Sequence, residues 1–204
     1  MTASQYQAAR RFLVKIDADW AQLVKQVGPC KFEPKAEREP YDALVRAVAY
    51  QQLHGKAAAA ILGRLLALNR GRMPKPKELL ALEFEQLRGC GFSARKIETL
   101  QGIAEATLTG QVPSRARAVK MTDEELIDRL TELKGIGRWT VEMLLMFTLE
   151  RMDVLPVDDF GVRDGYRRLK NLAALPSPKA LRDIGATWSP HRTIASWYLW
   201  QVPR

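Results

Sequence analysis

The sequence predicts an all-α fold, and three observations carry that prediction. Apolar residues recur at helical spacing along most of the chain, strand-like alternation is scarce, and caps, prolines and glycines punctuate the periodic runs. With 204 residues, 47% of them apolar, the chain can bury a real core as one large domain or two small lobes.

The elements follow in order. Tyr6–Val14 reads as the first helix, and Cys30–Pro40, broken by Pro34 and Pro40, reads as a loop. Tyr41–Leu53 sets Leu44, Val45, Val48 and Ala49 on one face, and Lys56–Leu68 is rich in strong helix formers. Gly71–Pro76 is a break, with one or two short helices expected within Leu79–Leu87. Ser93 caps a helix through Ala106 that turns Ile97, Leu100, Ile103 and Ala104 inward. Thr122-Asp123-Glu124-Glu125 is a capping box that opens Glu125–Leu133. Helices over Arg138–Leu149, Asp159–Leu169, Pro178–Ile184 and Pro190–Trp200 complete the series.

Charge points to an anionic partner. The net charge is +9, and residues 161–204 hold eight Lys or Arg against two acids, so two-thirds of the excess lies in the last fifth of the chain. A basic balance of this size favours nucleic acid. Cys30 and Cys90 stand far apart, and no Cys/His spacing suits zinc or an iron–sulfur cluster. The only histidines are His54 and His191, with no serine or cysteine partner in sight, which argues against a histidine triad. No apolar run is long enough to span a membrane, and Met1–Gln5 has no signal-peptide core, so a reduced, cytoplasmic setting is expected, nucleoid-associated in a bacterium.

The chemistry concentrates in two places. Leu133-Lys134-Gly135-Ile136-Gly137-Arg138-Trp139 reads as a glycine hairpin between two helices, with both glycines free to take positive φ and to let another backbone approach. Backbone N–H groups of Gly135, Gly137 and their neighbours would hold a phosphate, helped by Lys134 and Arg138. Twenty residues past Trp139, Asp159 sits at the start of the next helix, where a carboxylate suits the positive end of the dipole. Such a carboxylate stabilises a sugar that becomes positive as an N-glycosidic bond breaks, and it orients the attacking water.

The extended run LKGIGRWTVEMLLMF over residues 133–147 resembles the helix–hairpin–helix signature of the HhH-GPD superfamily of base-excision DNA glycosylases. Within it the chain is similar to the alkylation-repair 3-methyladenine DNA glycosylases of AlkA or Mag type. Residues 50–58 (YQQLHGKAA), 91–96 (GFSARK), 155–159 (LPVDD), 188–192 (WSPHR) and Trp200 carry the same resemblance in the family order. Only about forty residues precede Tyr41, so the likeness is to the compact form without an additional N-terminal β-rich domain.

The resemblance implies a two-lobed all-α fold, with 40–152 as a central lobe and 1–39 plus 153–204 as the second. It implies a monofunctional glycosylase that flips N-alkylated purines of the 3-methyladenine type from duplex DNA and leaves an abasic site. Asp159 would be catalytic, with Asp158 the alternative. Trp139, where bifunctional relatives place a Schiff-base lysine, would line the base pocket with Met143, Asp158 and Trp200. Trp197 is assigned to the core. Leu53 would be the wedge, His54 a minor-groove contact and Gln52 a contact to the opposite strand. Lys96 and Arg95 would add phosphate contacts, and Arg192 a structural role. Carbonyls of Leu133 and Ile136 would hold a structural Na⁺ or K⁺, and no other cofactor is implied. The expected partner is duplex DNA carrying alkylated bases, bound by a monomer. Two rivals stand beside this reading: a relative acting on hypoxanthine, ethenoadenine or 1-methyladenine, and a non-catalytic DNA-binding module.

Overall fold

The computed structural model describes residues 2–51 and 55–203, and among them there are thirteen α-helices and no strand. Of those helices, none is long and apolar enough to cross a membrane. The chain divides into two compact units, 36–144 and 1–35 with 145–204.

The first unit in chain order of its helices begins with α1 (Ala3–Leu13) and α2 (Ala18–Val27). Helix α2 was not among the expected elements, yet Asp17 caps it by accepting from Trp20 N at 3.1 Å. The second unit holds α3 (Pro40–Tyr50), α4 (Gly55–Leu68), α5 (Pro76–Leu80), α6 (Phe84–Cys90), α7 (Ala94–Leu108), α8 (Arg115–Ala118), α9 (Asp123–Thr131) and the start of α10 (Arg138–Phe147). The chain then returns to the first unit with α11 (Phe160–Leu169), α12 (Pro178–Gly185), a 3-10 turn (Ala186–Trp188) and α13 (Arg192–Trp200).

In 36–144, α7 is the central rod. It packs against α3 and α5, while α4 packs against α3 and α6. Leu44, Val45, Val48, Ile97, Leu100 and Ile103 are fully buried there, each contributing about 1.5–3 kcal/mol of transfer energy. Ser93 Oγ starts α7 by accepting from Lys96 N at 3.3 Å. The Thr122–Glu125 capping box is complete in both directions. Helix α3 ends at Tyr50, shorter than the expected run to Leu53, whose residues 52–54 lie outside the described ones.

In the other unit the core centres on Trp20, Trp188 and Tyr166. Trp20 meets Trp188 edge-on at 5.3 Å between ring centroids, and Tyr166 lies 5.6 Å from Trp188. Helix α11 packs closely on α13, because a Cβ on Gly165 would collide with the Leu199 backbone. Trp197, expected in the core, is only half-buried, since Tyr198 and Leu199 take the inward face of α13.

Candidate active site and nucleic-acid interface

Asp159 is the N-cap of α11, and its Oδ1 accepts from Val162 N at 2.8 Å. The same oxygen accepts from the indole Nε1 of Trp200 at 2.9 Å. The indole stacks on Phe147, with centroids 6.0 Å apart and planes 19° from parallel. One carboxylate is thus aimed by a local cap and by an aromatic donor 41 positions away. Hydrogen bonds to a charged acceptor are worth about 1.5–3 kcal/mol each, enough to hold one rotamer.

Glycine makes this corner possible. A Cβ on Gly161 would stand 2.9 Å from Trp200 Cδ1 and 3.1 Å from Asp159 Oδ1. Gly161 and Gly165, four apart on α11, form one smooth face that admits α13. Neither glycine nor Phe147 was singled out from sequence, although Gly161-Val162-Arg163-Asp164-Gly165 carries the small-residue spacing that marks close helix approach.

The chain leading to Asp159 is laid along α13. Thr193 N donates to Met152 O at 3.0 Å, and Val154 N donates to Thr193 Oγ1 at 3.1 Å. Arg192 grips Asp153 through Nε at 2.7 Å and a second guanidinium nitrogen at 2.9 Å, and Ser189 Oγ donates to the same carboxylate at 2.8 Å. Burial pushes the Asp153 carboxyl upward, but these donors outweigh it and hold the group below its ordinary value. Arg192 is therefore structural. Asp158, one residue before the cap, is exposed in the turn and Asp159 is the half-buried one.

The hairpin belongs to the other unit. Gly135 has φ +85°, and a Cβ there would collide with the Thr99 hydroxyl, so position 135 needs glycine twice over. Gly137 departs from expectation: its φ is not positive, and a Cβ there meets open space. Its carbonyl accepts from Thr140 N at 2.9 Å, making it the entry to α10. Open space in front of an exposed helix-entry glycine leaves room for a phosphate to approach.

The basic residues around the hairpin are engaged. Lys134 pairs with Glu98 at 2.7 Å, and Arg138 pairs with Glu124 at 2.6 Å and Glu142 at 3.2 Å. The exposed pairs Lys134–Glu98 and Arg138–Glu124 are worth roughly 0–1 kcal/mol each and exchange readily for a phosphate, whereas Glu142 is buried. Lys96, expected as a phosphate contact, donates through its ammonium to Ala49 O at 3.2 Å and Gln51 O at 2.9 Å. Arg95 is exposed in the first turn of α7. Leu133 O accepts from Ile136 N at 3.0 Å, so that carbonyl already closes the turn. Much of the basic excess of the C-terminal fifth is likewise paired, Arg167 and Arg168 with Asp164 and Lys170 with Asp17 and Asp19.

Trp139 is half-buried in the first turn of α10 and lines a cavity of about 390 Å³ with Gln51, Arg95, Lys96, Thr99 and Gly135. Met143, half-buried one turn later, follows on the same helix. Gln52, Leu53 and His54 lie outside the described residues. Neither cysteine offers a nucleophile. Burial pushes the Cys30 thiol up to about 11 and raises that of Cys90.

A two-unit all-helical chain with a glycine hairpin in one unit and a capped aspartate in the other matches the helix–hairpin–helix repair proteins. Residues 45–191 match the model of the HhH-GPD superfamily base excision DNA repair proteins, and the chain belongs to that family. It is 49% identical over 191 residues to DNA-3-methyladenine glycosylase 1 of Schizosaccharomyces pombe, covering 93% of this chain and 84% of that protein. The alkylbase DNA glycosidase-like protein mag2 of the same organism is 37% identical over 203 residues, covering 98% and 95%. The solved structure of a 3-methyladenine DNA glycosylase from S. pombe in complex with abasic DNA is similar at TM-score 0.89 and 48% identity, with 95% of each chain covered.

Proposed function

We propose that this chain is a monofunctional DNA glycosylase of base-excision repair that removes N-alkylated purines of the 3-methyladenine type. The observation that carries the reading is the doubly held carboxylate of Asp159, accepting from Val162 N and Trp200 Nε1, in a chain of this family. Cleavage of the base–sugar bond builds positive charge on the deoxyribose. A carboxylate fixed before the reaction stabilises that charge without reorganising, and it orients the water that completes hydrolysis. An alkylated purine is already a good leaving group, so one such group suffices without an acid to protonate the base.

The chain acts as a monomer on duplex DNA. The hairpin amides around Gly135 and Gly137 clamp a phosphate, with Lys134 and Arg138 turning from their glutamates toward the backbone. Leu133 and Ile136 carbonyls, neutral oxygen donors, would hold a monovalent cation that reinforces that clamp. Leu53 fills the gap left by the flipped nucleotide, beside Gln52 and His54. Trp139 and Met143 offer aromatic and apolar surface in the 36–144 unit, and Trp200 offers an aromatic face in the other, each suited to an electron-poor base. Trp139 has no amine to form a Schiff base, which supports hydrolysis over strand cleavage.

The test is chromatographic release of free base from methylated duplex DNA. The wild-type chain is expected to release 3-methyladenine and leave unbroken abasic strands. Asp159→Asn should slow release by about a hundredfold or more while DNA binding persists. Release of hypoxanthine or ethenoadenine instead would move the substrate assignment, and binding without release of any base would leave a DNA-binding module.

A further inference from the structure

One set of contacts in the 36–144 unit is explained by neither the chemistry nor the phosphate clamp. Helix α3 runs out at Tyr50, and Gln51 is the last described residue before 52–54. Three contacts converge there. Lys96 Nζ donates to the carbonyls of Ala49 and Gln51, at 3.2 and 2.9 Å. Gln51 Nε2 donates to Gly135 O at 3.1 Å and Thr140 Oγ1 at 3.3 Å. Thr99, one turn after Lys96 on α7, presses against Gly135 where a Cβ would stand.

The connections close a ring from α7 to the end of α3, to the hairpin, and back to α7. Each bond suits its place. An ammonium at the C-terminus of α3 meets carbonyls that lack helical partners and the negative end of the dipole. The amide of Gln51 takes the carbonyl of the one hairpin residue with positive φ. Burial lowers the Lys96 pKa, a cost that a surface lysine free to reach a phosphate would not incur.

We infer that Gln51 and Lys96 are positioning residues that fasten the C-terminal end of α3 to the hairpin, so that the chain entering segment 52–54 and the phosphate clamp bear on DNA together. The inference rests on the glycosylase reading above. A wedge works only if its root does not yield when the duplex resists unstacking, a resistance of a few kcal/mol. A hairpin already seated on a phosphate supplies that resistance through Gln51.

The experiment compares single-turnover release of 7-methylguanine opposite cytosine with its release opposite a tetrahydrofuran abasic analogue, where flipping needs little work. Gln51→Leu and Lys96→Met should each slow release from the paired site about tenfold and from the unpaired site less than about threefold. Melting temperatures should stay within a few degrees of wild type, and Lys96→Arg should restore most of the rate. Amide hydrogen exchange at 135–137 should quicken in Gln51→Leu. Equal slowing on both substrates would assign these residues to general folding and overturn the inference, as would unchanged release. A wild type that releases no base sinks the glycosylase reading, and unchanged amide exchange then overturns the fastening by itself.

Discussion

The Asp159 corner and the glycine hairpin are held by different materials. The hairpin is main chain against main chain: Gly135 in its left-handed conformation, a turn bond from Ile136 N to Leu133 O, and a helix entry at Gly137. The corner is side chain against side chain, with an indole from α13 aiming a carboxylate at the start of α11. A phosphate can be caught by amides that any side chains leave in place, so the clamp is robust to most substitutions except at Gly135. A transition-state charge must be met by one oxygen in one orientation, so the corner depends on partners drawn from distant sequence.

The strongest way to break this contrast is through the two hairpin glycines. Gly135→Ala meets both a disfavoured φ and the Thr99 hydroxyl, and should cost about 2–4 kcal/mol of stability along with DNA affinity. Gly137→Ala meets open space and should leave thermal stability within about 0.5 kcal/mol, lowering only affinity for abasic duplex. Calorimetry and binding titration on the pair separate the two roles. Equal stability loss in both would mean that the hairpin tolerates no side chain for reasons other than φ and Thr99.

Next in size is Trp200→Phe. The ring can still stack on Phe147, but the bond to Asp159 Oδ1 is gone. Base release is expected to fall about tenfold in kcat, with little change in melting temperature. An unchanged kcat would show that the local cap from Val162 N suffices to aim the carboxylate.

The smallest effect concerns the fastening of residues 151–154 to α13. The Asp153 carboxyl is held below its ordinary value, so the stability it adds is present at neutral pH and is lost as pH falls through the folded pKa. Asp153→Asn should therefore melt a few degrees below wild type above about pH 4, with the gap closing at lower pH. Melting curves at a series of pH values check this. A gap constant with pH would assign the effect to the lost shape of the carboxylate alone.

Much of this was legible in the chain. Local signals sufficed for the helices with caps, such as the Thr122 box and the Ser93 start, because each lies within a few residues of what it caps. They also marked Gly135 and the Asp159 N-cap, which answer to backbone geometry within one turn. Helix α2, with Trp20, Leu23 and Val24 inward and Asp17 as its cap, carries comparable local signals and was not read from the sequence. What the sequence did not reveal is that Lys96 meets the carbonyls of Ala49 and Gln51, since nothing near it in sequence marks them.

By itself, then, the sequence determined an all-helical chain, a glycine hairpin, a capped aspartate and a basic balance suited to DNA, since each follows from residues within reach of one another along the chain. Only the tertiary structure decided that Trp200 aims that aspartate, that Gly161 and Gly165 clear the way for it, and that Gln51 and Lys96 bind the end of α3 to the hairpin. The hydrogen bonds from Trp200 to Asp159, from Lys96 to Gln51 and from Gln51 to Gly135 span 41, 45 and 84 residues, and they exist only once burial of the intervening helices has brought the groups together.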